Sequence, residues 1–227
     1  MSFRTKRTLA VAVPVILLGA VTLTAGPLER DAEHDYDPPV AGSYSLPVVK
    51  SSAGGGSLVD STGKSVELRD LIHGRVTVLS FIYTRCASGR ACPYATNVLG
   101  QLHLASAEDS KLARNMRLVS LSFDPEHDTP RQLANYGEAV RETDQGCEWR
   151  FVTAKSAADL KTILEGYGQA VDKRADPNDP EGPLYHILRV FLIDQQGRIR
   201  NIYSSGTLDP RLVLADVKTL LLENERK

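Results

Sequence analysis

Residues 76–83 read Val-Thr-Val-Leu-Ser-Phe-Ile-Tyr, an uncharged run rich in β-branched and aromatic side chains. A run this short and without polar alternation predicts a strand buried on both faces, hence one at the centre of a sheet. Thr84-Arg85-Cys86 follows it, and further on Cys92 stands directly before Pro93. Pro93 suits the first position of a helix, and Val98, Leu99, Leu102 and Leu104 continue at roughly helical spacing. Two cysteines therefore lie in a strand-to-helix turn.

That turn has a defined chemistry. Cys92 falls at the expected N-cap, where unpaired amides and the helix dipole favour a thiolate, so its pKa is expected to be depressed. Arg85 and Arg90 are near in sequence. A continuous helix would rotate Cys92 by about 240° from Cys86, so the segment between them must loop, and Gly89 supplies the freedom for it. A thiolate is both a nucleophile and a metal ligand. The pair thus points to redox chemistry or to metal binding, with fortuitous packing as the bland alternative.

Outward from this turn, strands and helices alternate. Met116–Phe123 reads as a second strand, and Thr129-Pro130-Arg131-Gln132 as a capping box opening a helix. Trp149–Thr153 reads as a third strand, followed by a helix over Ser156–Tyr167. Residues 176–183 (DPNDPEGP) must be an exposed loop. Ile187–Asp194 and Arg198–Tyr203 read as a hairpin about Gln195-Gln196-Gly197, and Asp209-Pro210 opens a closing helix. Before the central strand, Asp60-Ser61-Thr62-Gly63-Lys64 is the turn of a small N-terminal hairpin. The pattern predicts an α/β, thioredoxin-like fold with a central mixed sheet and helices on both faces.

His186 is the remaining candidate for the site. It follows the 176–183 loop and precedes the strand expected from Ile187, a position that folds of this class bring near the cysteine turn. Alone it would more often be structural. His103 is set about 16 Å along the helix from Cys92, too far to share a ligand sphere. His34, His73 and His127 lie in loops or linkers, and Cys147 at a strand entrance reads as packing.

The N-terminus is distinct. Arg4, Lys6 and Arg7 precede an uncharged run from Leu9 to Ala25. At helical rise this spans about 25 Å, slightly short of a hydrocarbon core of roughly 30 Å. Residues 1–26 are read as an uncleaved membrane anchor, with a cleaved signal and a buried core helix as alternatives, because Leu23-Thr24-Ala25 fits a cleavage site poorly. The positive flank places that end in the cytoplasm and the remainder outside. Pro-rich, acidic residues 27–43 read as a linker, which leaves 44–227 as the folded domain. With a net charge of −1 no basic field favours nucleic acid. Three cysteines cannot all pair within one exported chain, so chemistry is favoured over a disulfide framework.

These residues resemble the Sco/SenC family of copper chaperones. The strand leading to Cys86, the Cys92-Pro93 pair, the Ser122–Pro130 stretch and His186 with its following strand and glycine turn all resemble family motifs, over approximately residues 44–225. The resemblance implies copper bound by Cys86, Cys92 and His186, as Cu(I) and also as Cu(II). It further implies delivery to cytochrome c oxidase subunit II, or another copper-accepting protein, during assembly of the oxidase's binuclear copper centre. The implied location is an inner membrane, with the domain in the periplasm or intermembrane space. Two features depart from the family: five residues rather than three separate the cysteines, and Leu184-Tyr185 replaces an acidic residue before the histidine.

The donor set has its own logic. Two thiolates suit Cu(I), an imidazole suits either oxidation state, and three protein ligands leave a position for a partner's donor. Zn(II) would accept the same set. A copper chaperone rather than an enzyme is the leading expectation. A thiol-disulfide oxidoreductase, with Cys86 and Cys92 redox-active, is the alternative, and a redox or copper sensor the third. A peroxidase finds support only in Thr84.

Overall fold

In the computed structural model, residues 36–89 and 91–225 are described. The expected anchor, most of the linker including His34, and Arg90 lie outside them. Among the described residues no helix is long and apolar enough to cross a membrane.

The N-terminal hairpin is present as β1 (Ser57–Asp60) and β2 (Ser65–Glu67). Asp60 Oδ1 closes its turn by accepting from Thr62 N at 2.9 Å and Lys64 N at 3.0 Å, and Gly63 takes φ +84°. A short helix α1 (Leu68–Ile72) leads to β3 (Val76–Ile82), every residue of which is buried. Next come α2 (Cys92–Ala107), α3 (Ser110–Asn115) and β4 (Met116–Ser122). They are followed by α4 (Pro130–Val140), β5 (Glu148–Ala154) and α5 (Ala157–Tyr167). Two short strands, β6 (Val171–Lys173) and β7 (Leu184–His186), precede the hairpin of β8 (Val190–Ile193) and β9 (Ile199–Tyr203) and the closing helix α6 (Pro210–Glu225).

The main sheet has the order β2-β1-β5-β4-β3-β8-β9. β3 is parallel to β4 and antiparallel to β8, so the sheet is mixed and β3 has a neighbour on each side, as its composition requires. Strand side chains alternate between faces. Val78, Leu118, Phe151 and Leu192 pack with α2 and α6, whereas Leu79, Leu121, Val152 and Phe191 pack with α1 and α5. Each fully buried side chain of this size contributes about 1.5–3 kcal/mol. Helices cover both faces because both faces are apolar. The chain just before β1 also packs on α6: Gly42 N donates to Thr219 Oγ1 at 2.9 Å and Tyr44 Oη to Asp216 Oδ1 at 2.5 Å.

Two local expectations need correction. The strand expected from Ile187 begins only at Val190, and the residues just before Ile187, Leu184–His186, form a strand of their own that pairs with Val171–Lys173 in a separate small sheet. Ile187 between them is 45 % exposed, so apolar character at that position marks a crossing between sheets and not a core strand. The capping box of α4 is half formed. Thr129 Oγ1 accepts from Gln132 N at 3.4 Å, while Thr129 N donates to His127 O and leaves no role for the Gln132 side chain.

Candidate metal centre

The segment leaving β3 bends at once. Cys86 N donates to Tyr83 O at 3.2 Å, Thr84 N donates to Asp128 Oδ2 at 3.0 Å, and Arg85 Nη2 reaches Asp124 Oδ2 at 2.6 Å. Ala91 N then donates to Ser88 O at 3.1 Å, a turn that takes up the additional residues between the cysteines. Cys92 is the first residue of α2 rather than its cap; Ala91 stands at the N-cap.

His186 arrives from the other side of the sequence on β7, whose hairpin with β6 is closed by Arg174 pairing with Glu181 at 2.6 Å and Asp179 at 3.5 Å. Glu181 O accepts from Ala87 N at 3.3 Å and from Tyr83 Oη at 3.1 Å, so the hairpin is tied directly to the cysteine loop. Gly182 permits this approach. Its φ is +101°, and a Cβ there would lie 2.3 Å from Tyr83 Oη. The imidazole packs against Phe123, with ring centroids 4.9 Å apart, and edge-on to Tyr83 at 5.8 Å. His186 Nδ1 is buried without a hydrogen-bond partner among the described residues, so on that side ring packing holds the imidazole in place.

His186 Nε2 is 3.3 Å from Cys92 Sγ and 3.7 Å from Cys86 Sγ, and the three donor atoms all lie within 4.8 Å of one another. The expected site residues are thus brought together. Cys86 is half-buried and Cys92 is 1 % exposed; all three cysteines are free thiols. A cleft of about 400 Å³ opens over the group, lined by Cys86, Ser88, Tyr94, Tyr185 and His186 among others.

The charge distribution reverses an expectation. The hydrogen bond from Cys92, against the opposing effect of burial and helped by His186, lowers the Cys86 thiol to about 4. Burial pushes Cys92 upward, and its neighbour Cys86 adds to the rise. The dyad releases one proton readily and keeps the second, with the charge on the more exposed sulfur. Cys92 was expected to be the thiolate because it begins a helix. Desolvation of an almost fully buried sulfur outweighs the dipole there.

The other candidates stay apart. His73 Nδ1 lies 2.9 Å from Arg69 O, and His103 is buried with its ring 5.6 Å from that of Trp149. Cys147 sits in the core under α2, its thiol raised by burial to about 11. Reading the sequence alone passed over Tyr83, Phe123 and Gly182 as site residues. Tyr83 and Phe123 read as strand ends, and Pro180-Glu181-Gly182-Pro183 carried only a loop signal.

A model of the SCO1/SenC family matches residues 51–222. The chain belongs to the SCO1/SenC family. It is 27 % identical over 160 residues to the SCO1 protein homolog of Bacillus subtilis, covering 69 % of this chain and 76 % of that one. A SCO1/SenC family lipoprotein from Bacillus anthracis has a structure similar at TM-score 0.62 and 26 % identity, over 76 % of this chain and 96 % of that one. Arabidopsis thaliana ScoI, solved with copper bound, is similar at TM-score 0.60 and 23 % identity, over 74 % and 98 % of the two chains. The fold is the thioredoxin-like fold of these SCO1/SenC proteins.

Proposed function

We propose that this chain binds copper through Cys86 Sγ, Cys92 Sγ and His186 Nε2 and passes it to a copper-accepting protein. The observation that carries the reading is the convergence of the three donor atoms within 4.8 Å, beside a cleft lined by Cys86 and His186. Two soft sulfurs and one imidazole fit Cu(I), and copper replaces the proton that the dyad otherwise retains. Three ligands leave one side of the ion open. Through it an acceptor's thiol or imidazole would displace the chain's ligands one at a time. Membership of the family, and the copper-bound state of the Arabidopsis relative, support the same cargo. The acceptor that fits is subunit II of cytochrome c oxidase, reached from a domain tethered outside the inner membrane by residues 1–26.

The test loads the domain with Cu(I) under reducing conditions. One equivalent is expected, with loss of tight binding in Cys86→Ala and in His186→Ala. A stoichiometry and affinity unchanged in both variants would sink the reading.

A second reading is favoured by one observation, the charge held on half-exposed Cys86 beside the free thiol of Cys92. Such a pair suits attack of Cys86 on an acceptor's disulfide and resolution by Cys92, leaving the acceptor as a dithiol and this chain oxidised. Incubating the reduced protein with an oxidised acceptor distinguishes the two. Transfer of copper without thiol exchange counts for the first reading, and exchange without copper for the second.

A further inference from the structure

Behind the cleft, Asp128 is completely buried and lies outside the donor set. Its carboxylate gathers three hydrogen bonds, all from neutral donors. Oδ2 accepts from Thr84 N at 3.0 Å and Ser122 Oγ at 2.5 Å, and Oδ1 accepts from Thr84 Oγ1 at 2.5 Å. The loop that carries it is folded onto Asp124, whose carbonyl accepts from both His127 N and Asp128 N, and Asp124 N in turn donates to Ser122 Oγ.

The two elements gripped are the two halves of the site. Thr84 stands two residues before Cys86, so its clamped backbone sets where the first sulfur emerges from β3. Ser122 ends β4 and is followed by Phe123, the ring against which the His186 imidazole packs. Since His186 Nδ1 has no hydrogen-bond partner among the described residues, the ring is held by its packing neighbours and, at Nε2, by the two sulfurs themselves. A buried polar group is tolerated only when fully bonded, and a fully bonded one imposes a single geometry.

We propose that Asp128 is a positioning residue for the copper site. It fixes the distance between Cys86 and the wall that holds His186, and so sets the geometry in which the three donors meet. The proposal rests on the copper-binding reading for its two copper readouts but not for the disulfide reduction equilibrium.

The test compares Asp128→Ala and the milder Asp128→Asn with Asp216→Asn. Asp216 is an equally buried carboxylate with three donors, Tyr44 Oη, Tyr203 Oη and Asn201 Nδ2, and it lies under the closing helix. All three variants are expected to melt at lower temperature. Only the Asp128 variants are expected to weaken Cu(I) binding, by about 10–100-fold as for other residues that orient ligands, and to alter the absorption spectrum of the Cu(II)-loaded protein. In metal-free protein, the Cys86–Cys92 disulfide is expected to become easier to reduce by dithiothreitol in the Asp128 variants alone, since sulfurs held less closely re-form it less readily.

Spectrum, affinity and reduction equilibrium all unchanged in folded Asp128 variants would overturn the proposal. So would equal changes in Asp216→Asn, or failure of both Asp128 variants to fold, since either assigns the carboxylate to general stability. If wild-type protein binds no copper, the proposed function falls, and the reduction equilibrium still decides the role of Asp128.

Discussion

His186 Nε2 lies 3.3 Å from Cys92 Sγ although 94 positions separate the two residues in the chain. The contact joins the start of α2 to the end of β7. Neither element could hold a metal alone, and the link between them runs through Tyr83, Ala87 and Glu181.

The two site thiols should differ in reactivity. Cys86 is half-buried and lowered to about 4, whereas Cys92 and Cys147 are buried and raised. Iodoacetamide at neutral pH is expected to label Cys86 first in the reduced, metal-free protein, as peptide mass mapping would read. Labelling of Cys92 ahead of Cys86 would contradict the charge distribution.

Gly182→Ala should loosen the histidine hairpin. The added Cβ would lie 2.3 Å from Tyr83 Oη and 2.8 Å from Arg85 O, at a φ of +101° that side chains avoid. The expected cost is about 1–3 kcal/mol from the backbone conformation, measured by urea unfolding, with faster amide exchange in β6 and β7 and weaker copper binding. Unchanged exchange in that hairpin would show that its docking does not depend on the close approach.

Cys147→Ala tests the third cysteine. Cys147 is 2 % exposed in the core beneath α2, and its amide donates to Ser106 Oγ at 2.8 Å, a bond the substitution keeps. Copper stoichiometry should be unchanged, with a stability loss of about 1 kcal/mol for the lost sulfur packing. A lower stoichiometry would place Cys147 in the metal chemistry.

Acid should destabilise the fold through its paired carboxylates. Burial works to raise Asp194, but hydrogen bonds and charge from Arg198 and Arg200 outweigh it and leave its pKa below the ordinary value; Glu148, paired with Arg117 and Arg75, behaves alike. The unfolded state therefore takes up protons first as pH falls. The stabilisation is fully present above the ordinary carboxylate range near pH 4 and is lost below it, as pH drops through the lowered folded values. Thermal midpoints recorded downward from pH 5 should fall, and Asp194→Asn should flatten that fall. An equally steep decline in the variant would assign it to other groups.

Much of the fold was legible because its signals are local. The uncharged run at 76–83, Thr129-Pro130 and Ser156 at helix starts, and the Asp60–Lys64 turn each act within a few residues, and the described strands and helices follow them. The short helix α1 and the β6–β7 sheet carry no comparable signal, and α3, capped by Asp109 through Lys111 N and Leu112 N, is only six residues long. Three-residue strands are defined by their partner, and Leu184–His186 finds its partner in Val171–Lys173.

What the amino-acid sequence determined by itself was the scaffold and the candidates for a site: a sheet apolar on both faces, two cysteines in a strand-to-helix turn, and a histidine beyond the acidic loop. Only the tertiary structure decided which sulfur carries the charge, because the helix dipole is a local property while desolvation depends on everything packed around Cys92. It also decided how the donors meet. The bonds that close the gap, from Tyr83 and Ala87 to Glu181 and from Thr84 to Asp128, join segments whose distance along the chain says nothing of their distance in space.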